Sequence, residues 1–229
     1  MEFMVLGHRG AMAYAPENTM KSFDLALSLG VNGIETDVQQ TKDGYLVLLH
    51  DDSMVRYGDD RFVRDLTLAE LQMMDLGEGE RVVLLGDFLE KTANLDLFLA
   101  IELKQRHIHE GVADLIKKHI KNTDKTTITS FDFRNLEDTR NYDENIAIGW
   151  LTDLLTDVEL NRLNTINANQ ICPKAENTTP ENVRVAKECG FSVRAWGVDN
   201  EDRMFHCLDC VVDGMTINFP DKLISALAK

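Results

Sequence analysis

Four short segments carry residues able to do chemistry, and each follows or closes an apolar run. His8-Arg9-Gly10 follows Phe3-Met4-Val5-Leu6, and Glu35-Thr36-Asp37, His50-Asp51-Asp52 and Glu102-Leu103-Lys104 repeat the arrangement. Imidazole titrates near neutral pH, so His8 and His50 form a candidate pair to take and give a proton during cleavage of an ester. Glu35, Asp37 and Glu102 are hard oxygen donors of the kind that hold Mg2+ or Ca2+. Arg9 offers a planar fork and Lys104 a point charge, both suited to phosphate oxygens. Taken singly, each acid reads as structural and each histidine as a buried or surface residue. Taken together they define one candidate site.

The spacing explains how they meet. Residues two apart on a strand point to the same face, which pairs Glu35 with Asp37 and Glu102 with Lys104. Apolar runs near 4–7, 33–38, 98–103, 126–131, 146–150, 169–172, 192–197 and 211–217 alternate with helix-period segments. That is the pattern of about eight βα units, and it predicts an α/β fold, a TIM (β/α)8 barrel with its chemistry at the C-terminal strand ends. Several helix starts are marked by side chains. Pro16-Glu17-Asn18-Thr19 is read as opening the first helix, Thr67 with Glu70 and Thr156 with Glu159 have capping-box spacing, and Thr179-Pro180 begins a helix that Gly190 ends.

Tyr45-Leu46-Val47-Leu48-Leu49 stands too close to strand 33–38 for a parallel crossover, so it is expected to return antiparallel. A two-residue turn at Asp43-Gly44 would set Lys42 opposite Tyr45 and Asp37 opposite His50. Residues 51–97 are then a small insertion at the barrel mouth, after the 33–38/45–50 hairpin, within a single domain spanning 1–229. Insertions of this kind shape access to a site.

The composition narrows the partners. The 229 residues are 44% hydrophobic and 28% charged, with 24 Lys and Arg against 39 Asp and Glu, a net charge of −15. Such a field repels nucleic acid and anionic membrane surfaces, so neither nucleic-acid binding nor stable membrane insertion is expected. Phosphate is repelled too, unless Arg9, Lys104 or a metal concentrates positive charge locally. The opening Met1-Glu2-Phe3-Met4 has no secretory pattern, and Cys172, Cys189, Cys207 and Cys210 read as free thiols, which together give a cytoplasmic expectation.

At this level of detail the chain resembles the glycerophosphodiester phosphodiesterase family, within the superfamily of phosphatidylinositol-phospholipase-C-like barrels. The matching residues are His8-Arg9-Gly10, Pro16 to Thr19, Glu35 with Asp37, Thr41 to Gly44, His50-Asp51, Glu102 with Lys104, Ser130-Phe131-Asp132, Trp196, and Asp213-Gly214 before Pro220. The resemblance implies a hydrolase dependent on Mg2+ or Ca2+ that converts small-molecule glycerophosphodiesters to glycerol 3-phosphate and an alcohol. It implies Glu35, Asp37 and Glu102 as metal ligands, His8 and His50 as the acid/base pair, Arg9 and Lys104 as phosphate contacts, and Trp196 as the aromatic lining the glycerol side. Two positions depart from the family pattern. Gly197 follows the tryptophan where threonine is usual, and Ile217-Asn218-Phe219-Pro220 stands where Thr-Asp-x-Pro is usual. The Asn218 departure is expected to touch none of the residues assigned to chemistry.

Two other readings share the barrel: a phospholipase-D-like hydrolase of lysophospholipids, and an inactive barrel that binds phosphometabolites. Headgroup, native metal, the division of acid and base between the histidines, the first nucleophile and oligomeric state carry no sequence signal. Cys207-Leu208-Asp209-Cys210 lacks a second pair at zinc spacing and reads as structural. His107 and His109 read as near-surface, and Met73-Met74 with Leu84-Leu85 as core of the insertion.

Overall fold

The parallel strands close on themselves because each inward face must be covered and each edge paired. The computed structural model describes residues 2–228. Its strands are β1 (Met4–His8), β2 (Gly33–Gln40), β3 (Leu46–Leu48), β4 (Val83–Leu84), β5 (Phe98–Leu103), β6 (Thr126–Ser130), β7 (Ala147–Thr152), β8 (Gln170–Pro173), β9 (Ser192–Val198) and β10 (Gly214–Ile217). Parallel pairing runs β1-β2-β5-β6-β7-β8-β9-β10 and returns from β10 to β1, giving a closed eight-stranded barrel. The eight core strands therefore fall where the apolar runs place them.

Helices α1 (Met20–Ser28), α2 (Leu68–Gln72), α3 (Leu85–Thr92), α4 (His109–His119), α5 (Phe133–Tyr142), α6 (Asp157–Asn164), α7 (Pro180–Glu188), α8 (Glu201–Asp209) and α9 (Pro220–Leu227) complete the described elements. Thr67 and Thr156 close reciprocal capping boxes with Glu70 and Glu159, and Thr179 caps α7 with Pro180 in its first turn. One start differs from expectation. Thr19 caps α1, so Pro16 lies outside the helix and shapes the loop before it.

The hairpin register also differs. Val38, Gln39 and Gln40 face Leu48, Val47 and Leu46, one residue away from the predicted pairing. Thr41 pairs with Tyr45 around the turn, because the Gly44 amide donates to the Thr41 carbonyl and the Thr41 amide to that of Tyr45. Lys42, Asp43 and Gly44 thus form a three-residue turn, in which Gly44 (φ +88°) takes the left-handed conformation. Asp37 consequently bonds Leu49 rather than facing His50.

Segment 51–97 divides in its packing. Met54, Val63, Leu66, Leu71 and Val82 join Val47 and Leu49 in a satellite cluster, whereas Leu85, Phe88 and Leu89 of α3 pack into the main barrel core. Met74 and Leu84 pack on the satellite cluster, but Met73 is 81% exposed and is not core. Among the described residues no helix is long and apolar enough to cross a membrane.

The cysteines give a check on this packing. Cys172, Cys207 and Cys210 are buried and Cys189 is exposed, all as free thiols. Burial pushes the Cys207 thiol up to about 12. A thiol-exchange reagent at mild alkaline pH is expected to modify Cys189 rapidly in the native protein. The other three should react only on unfolding, and rapid modification of Cys207 would contradict this core.

Candidate active site

The site begins with a backbone constraint. Beyond His8 the chain must turn out of the barrel within two residues, and Arg9 (φ +50°) and Gly10 (φ +84°) both adopt the left-handed region. At Gly10 a Cβ would fall 2.6 Å from the Ser22 carbonyl carbon, so the tight corner excludes any larger residue. The left-handed Arg9 costs about 1–3 kcal/mol of strain, of the kind that folds retain where side chains must be aimed. Here it aims the Arg9 amide at Glu35 Oε2 (3.1 Å) while the guanidinium Nε lies 3.1 Å from Asp37 Oδ2.

Glu35, Asp37 and Glu102 project from adjacent strands, and the register sets Asp37 directly beside Glu102. Their oxygens lie within 4.8 Å of one another, and all three residues are buried. Three carboxylates cannot all ionise freely in so dry a volume. Burial works against the Asp37 charge, but Arg9 and then Lys104 outweigh it and hold that carboxyl below its ordinary value. Burial, then the Asp37 charge, pushes Glu35 and Glu102 well above theirs. For Glu102 this holds although Lys104 Nζ sits 2.9 Å from its Oε1, because one ammonium does not offset both effects.

The donor set fits a divalent cation. It is all-carboxylate, its members are close enough to share one ion, and the buried Asp37 Oδ1 has no hydrogen-bond partner, with Lys104 Nζ 3.7 Å away.

His8 stands level with Glu35 across the β1–β2 pairing, its Nε2 3.8 Å from Glu35 Oε2. Its Nδ1 is 2.6 Å from Asn218 Oδ1. With that amide oxygen accepting, Nδ1 carries the proton and Nε2 keeps a lone pair toward the cavity. Asn218 therefore does touch a residue assigned to chemistry, contrary to the sequence expectation: β10 pairs with β1, which brings the residue just past its end beside His8. Burial, then Arg9, lowers the His8 imidazole to about 4, and it is neutral near pH 7.

His50 reaches the site by a route different from the predicted pairing. It lies beyond the end of β3, where the Gln39 amide donates to the carbonyls of Leu49, His50 and Asp51. Gln39 shares the inward face of β2 with Glu35 and Asp37, so one strand both carries two of the acids and holds the bend that carries His50. The His50 Nδ1 pairs with Asp51 Oδ1 at 2.7 Å.

A cavity of ≈ 280 Å³ at the C-terminal ends of the strands gathers His8, Arg9, Glu35, His50, Glu102 and Trp196 in its wall. Asp37 and Lys104 lie behind that wall, and Lys104 faces a neighbouring depression beside Ser130 and Asn135. Trp196 donates its indole N–H to the Thr152 carbonyl and meets Phe131 edge-on at 4.9 Å between centroids. The Gly197 departure has a backbone cause: φ +71°, a conformation that strains a β-branched residue such as threonine.

Sequence reasoning gave no site role to Asn18, Glu17 or Arg194. Asn18 donates to Asp37 Oδ2 and accepts from Thr36, and Glu17 pairs with Arg9 and Arg56. Arg194, a charge inside the strand Val193-Arg194-Ala195, is 1% exposed and lines the cavity. A cation in an otherwise apolar core strand was the available signal. His107 and His109 do not line the cavity; His109 is buried against Tyr142.

Two imidazoles over a carboxylate triad are the equipment of hydrolysis, and the cations beside them suit a phosphate ester. By fold and site this is a barrel hydrolase. The family model for the glycerophosphoryl diester phosphodiesterase family matches residues 8–222. A glycerophosphodiester phosphodiesterase of Caldanaerobacter subterraneus is 32% identical over 241 residues, covering 100% of this chain and 99% of that protein. One from Bacillus altitudinis is 30% identical, covering 96% of each. Among solved structures, an Oleispira antarctica phosphodiesterase in complex with the product sn-glycerol-3-phosphate superimposes with TM-score 0.90 at 25% identity, covering 99% of this chain and 97% of that one. The chain belongs to the glycerophosphoryl diester phosphodiesterase family.

The carboxylate cluster has a measurable consequence. Glu35 and Glu102 have folded pKa values above their ordinary ones, so the folded state binds more protons and stability falls as pH rises through that range. The lowered His8 value acts in the opposite direction, but only below its ordinary 6.5. Above pH 6.5 the metal-free protein should therefore melt at progressively lower temperature, each kcal/mol of linkage appearing as about 2–4 °C. A flat melting profile in EDTA across neutral and mildly alkaline pH would contradict the buried triad.

Proposed function

We propose that the protein hydrolyses glycerophosphodiesters to glycerol 3-phosphate and an alcohol, with a divalent ion held by Glu35, Asp37 and Glu102. The observation that carries this reading is the convergence of both histidines on the cavity wall that also contains Glu35 and Glu102. It is supported by the family match and by the product complex of the Oleispira relative. The ion, Mg2+ or Ca2+ by its all-oxygen donor set, supplies Lewis-acid polarisation of the phosphoryl oxygens when bound.

The chain's own residues do the rest. Arg9 contributes positive charge at the cavity wall for the phosphate, and Lys104 balances the carboxylates from behind while adding to the same field. His8, neutral and oriented through Asn218, offers Nε2 to take a proton from the attacking oxygen, which comes from water or the substrate's own 2-hydroxyl. His50, oriented by Asp51, faces the same cavity and serves the leaving alkoxide. The two roles can be exchanged between the histidines without altering the overall balance. The P–O bond to the alcohol breaks and the alcohol leaves with the donated proton; where the 2-hydroxyl attacks, water then opens the resulting cyclic phosphate, returning a proton to the 2-oxygen and giving glycerol 3-phosphate. Trp196, fixed by its bond to Thr152, forms the wall against which the glycerol packs. The satellite segment above the hairpin shapes entry for the alcohol portion. The free cysteines support a cytoplasmic setting.

His8→Ala and His50→Ala should each lower kcat by about 10²–10⁴-fold with little change in KM, since proton transfer is made in the transition state. An unchanged kcat would remove that histidine from the mechanism. Release of glycerol 3-phosphate from glycerophosphocholine and glycerophosphoethanolamine should vanish in EDTA and return with Mg2+ or Ca2+. No release with either ion from folded protein, alongside turnover of a lysophospholipid, would overturn the substrate assignment.

A further inference from the structure

The C-terminal end of β5 does more than carry Glu102. Residue pairing between β2 and β5 ends with Val38 beside Leu103, and the Lys104 amide donates to the Val38 carbonyl just beyond it. The Gln40 amide of β2 is then met by a side chain, for it donates to Gln105 Oε1 at 2.9 Å. Gln105 Nε2 in turn donates to Gln39 Oε1 at 3.2 Å. Gln39 is fully buried, and its Nε2 donates to the carbonyls of Leu49 (3.1 Å), His50 (3.1 Å) and Asp51 (2.7 Å).

The direction of these bonds is forced from both ends. A backbone amide can only donate, so Gln105 must turn its oxygen to Gln40 and its nitrogen to Gln39. Carbonyls can only accept, so Gln39 must turn its nitrogen to the bend and its oxygen to Gln105. An amide rotated at either residue would set oxygen against oxygen or N–H against N–H, and each buried polar group left unsatisfied costs about 1–3 kcal/mol. The two side chains therefore hold each other in one orientation, and that orientation closes the bend from Leu49 to Asp51.

We infer that Gln105 and Gln39 form a two-amide relay that positions His50, which makes Gln105 a positioning residue for the reaction although its bonds go to Gln39 and Gln40 alone. This rests on the proposed catalytic role of His50. One strand end then places two parts of the site: Glu102 directly, on β5, and His50 through the relay. The imidazole is thereby held to the same rigid frame as the carboxylates it must work beside, as a near-attack geometry requires.

The test uses Gln105→Met, which removes both bonds without adding charge, and Gln105→Glu, which turns a second acceptor toward Gln39 Oε1. Gln105 is only partly buried, so both proteins should fold. With saturating Mg2+ and a glycerophosphodiester, each should lower kcat about tenfold or more with little change in KM, a displacement of about 1 Å being worth about 10²-fold. In a His50→Ala background Gln105→Met should add little further loss, because the two changes disable the same group. The imidazole NMR signals of His50, assigned by their loss in His50→Ala, should shift in Gln105→Met while those of His8 stay in place. Unchanged kcat, a full further loss in the His50→Ala background, His50 signals that do not move, or failure of both variants to fold would each overturn the relay. An effect confined to Gln105→Glu would also overturn it, in favour of a new charge beside Lys104. Wild-type protein that turns over no glycerophosphodiester overturns the functional reading and the catalytic part of this inference with it. That failure is distinct because it is read without any variant.

Discussion

Mutual repulsion among three buried carboxylates is the constraint that organises this molecule. Glu35, Asp37 and Glu102 crowd into a space that one small ion could bridge, with almost no water to screen them. The surrounding polar structure answers that repulsion. Arg9 leaves the favoured backbone region to put both its amide and its guanidinium on the acids, Lys104 folds back onto its own strand's Glu102, and Asn18 spends its side-chain amide on Asp37. Asp37 keeps its charge because two cations point at it, while its neighbours are pushed toward the protonated form. A divalent ion held as proposed would relieve the same repulsion, and the all-carboxylate donor set is of the kind that suits one.

The histidines depend on neutral partners as much as on charged ones. His8 is oriented by an asparagine, so the bond that fixes its tautomer adds no further carboxylate to an already crowded site. His50 is carried on a bend rather than a strand, and the bend is held by one buried glutamine whose amide serves three consecutive carbonyls. Gln39 thus does for His50 what strand pairing does for His8. One imidazole thus comes from the end of a barrel strand and the other from a bend pinned to that barrel.

The wall opposite the acids is built on different principles. Trp196 and Phe131 meet edge-on, and the tryptophan N–H is bonded to backbone, so the aromatic surface is held in place without charge. A left-handed glycine directly follows the tryptophan and turns the end of β9, and β9 and β10 show a register shift at the same level. The cavity therefore has a charged side and an apolar side, as a substrate with a phosphate and a short carbon skeleton requires.

Much of this was legible in the residues alone. Apolar runs alternating with helix-period segments located all eight barrel strands, because hydrophobic burial and short-range capping act over a few residues and leave their mark in local spacing. The acids, histidines and cations were recognisable because their types and strand-end positions are local facts, and the family resemblance added their expected roles. What the sequence did not contain was the set of long-range neighbours. The hairpin register slipped by one residue because a three-residue turn and a two-residue turn share the same Asp-Gly signal. Asn218 stands 210 residues from His8 in the chain, and only barrel closure through β1 and β10 brings them together. Arg194 and Lys104 were visible as charges, but whether a cation faces substrate, sits behind the acids or forms the floor is decided by packing. Residue type and local periodicity determined which groups this protein possesses; the tertiary structure alone decided which of them touch, because contact depends on strand register and closure set by the whole chain.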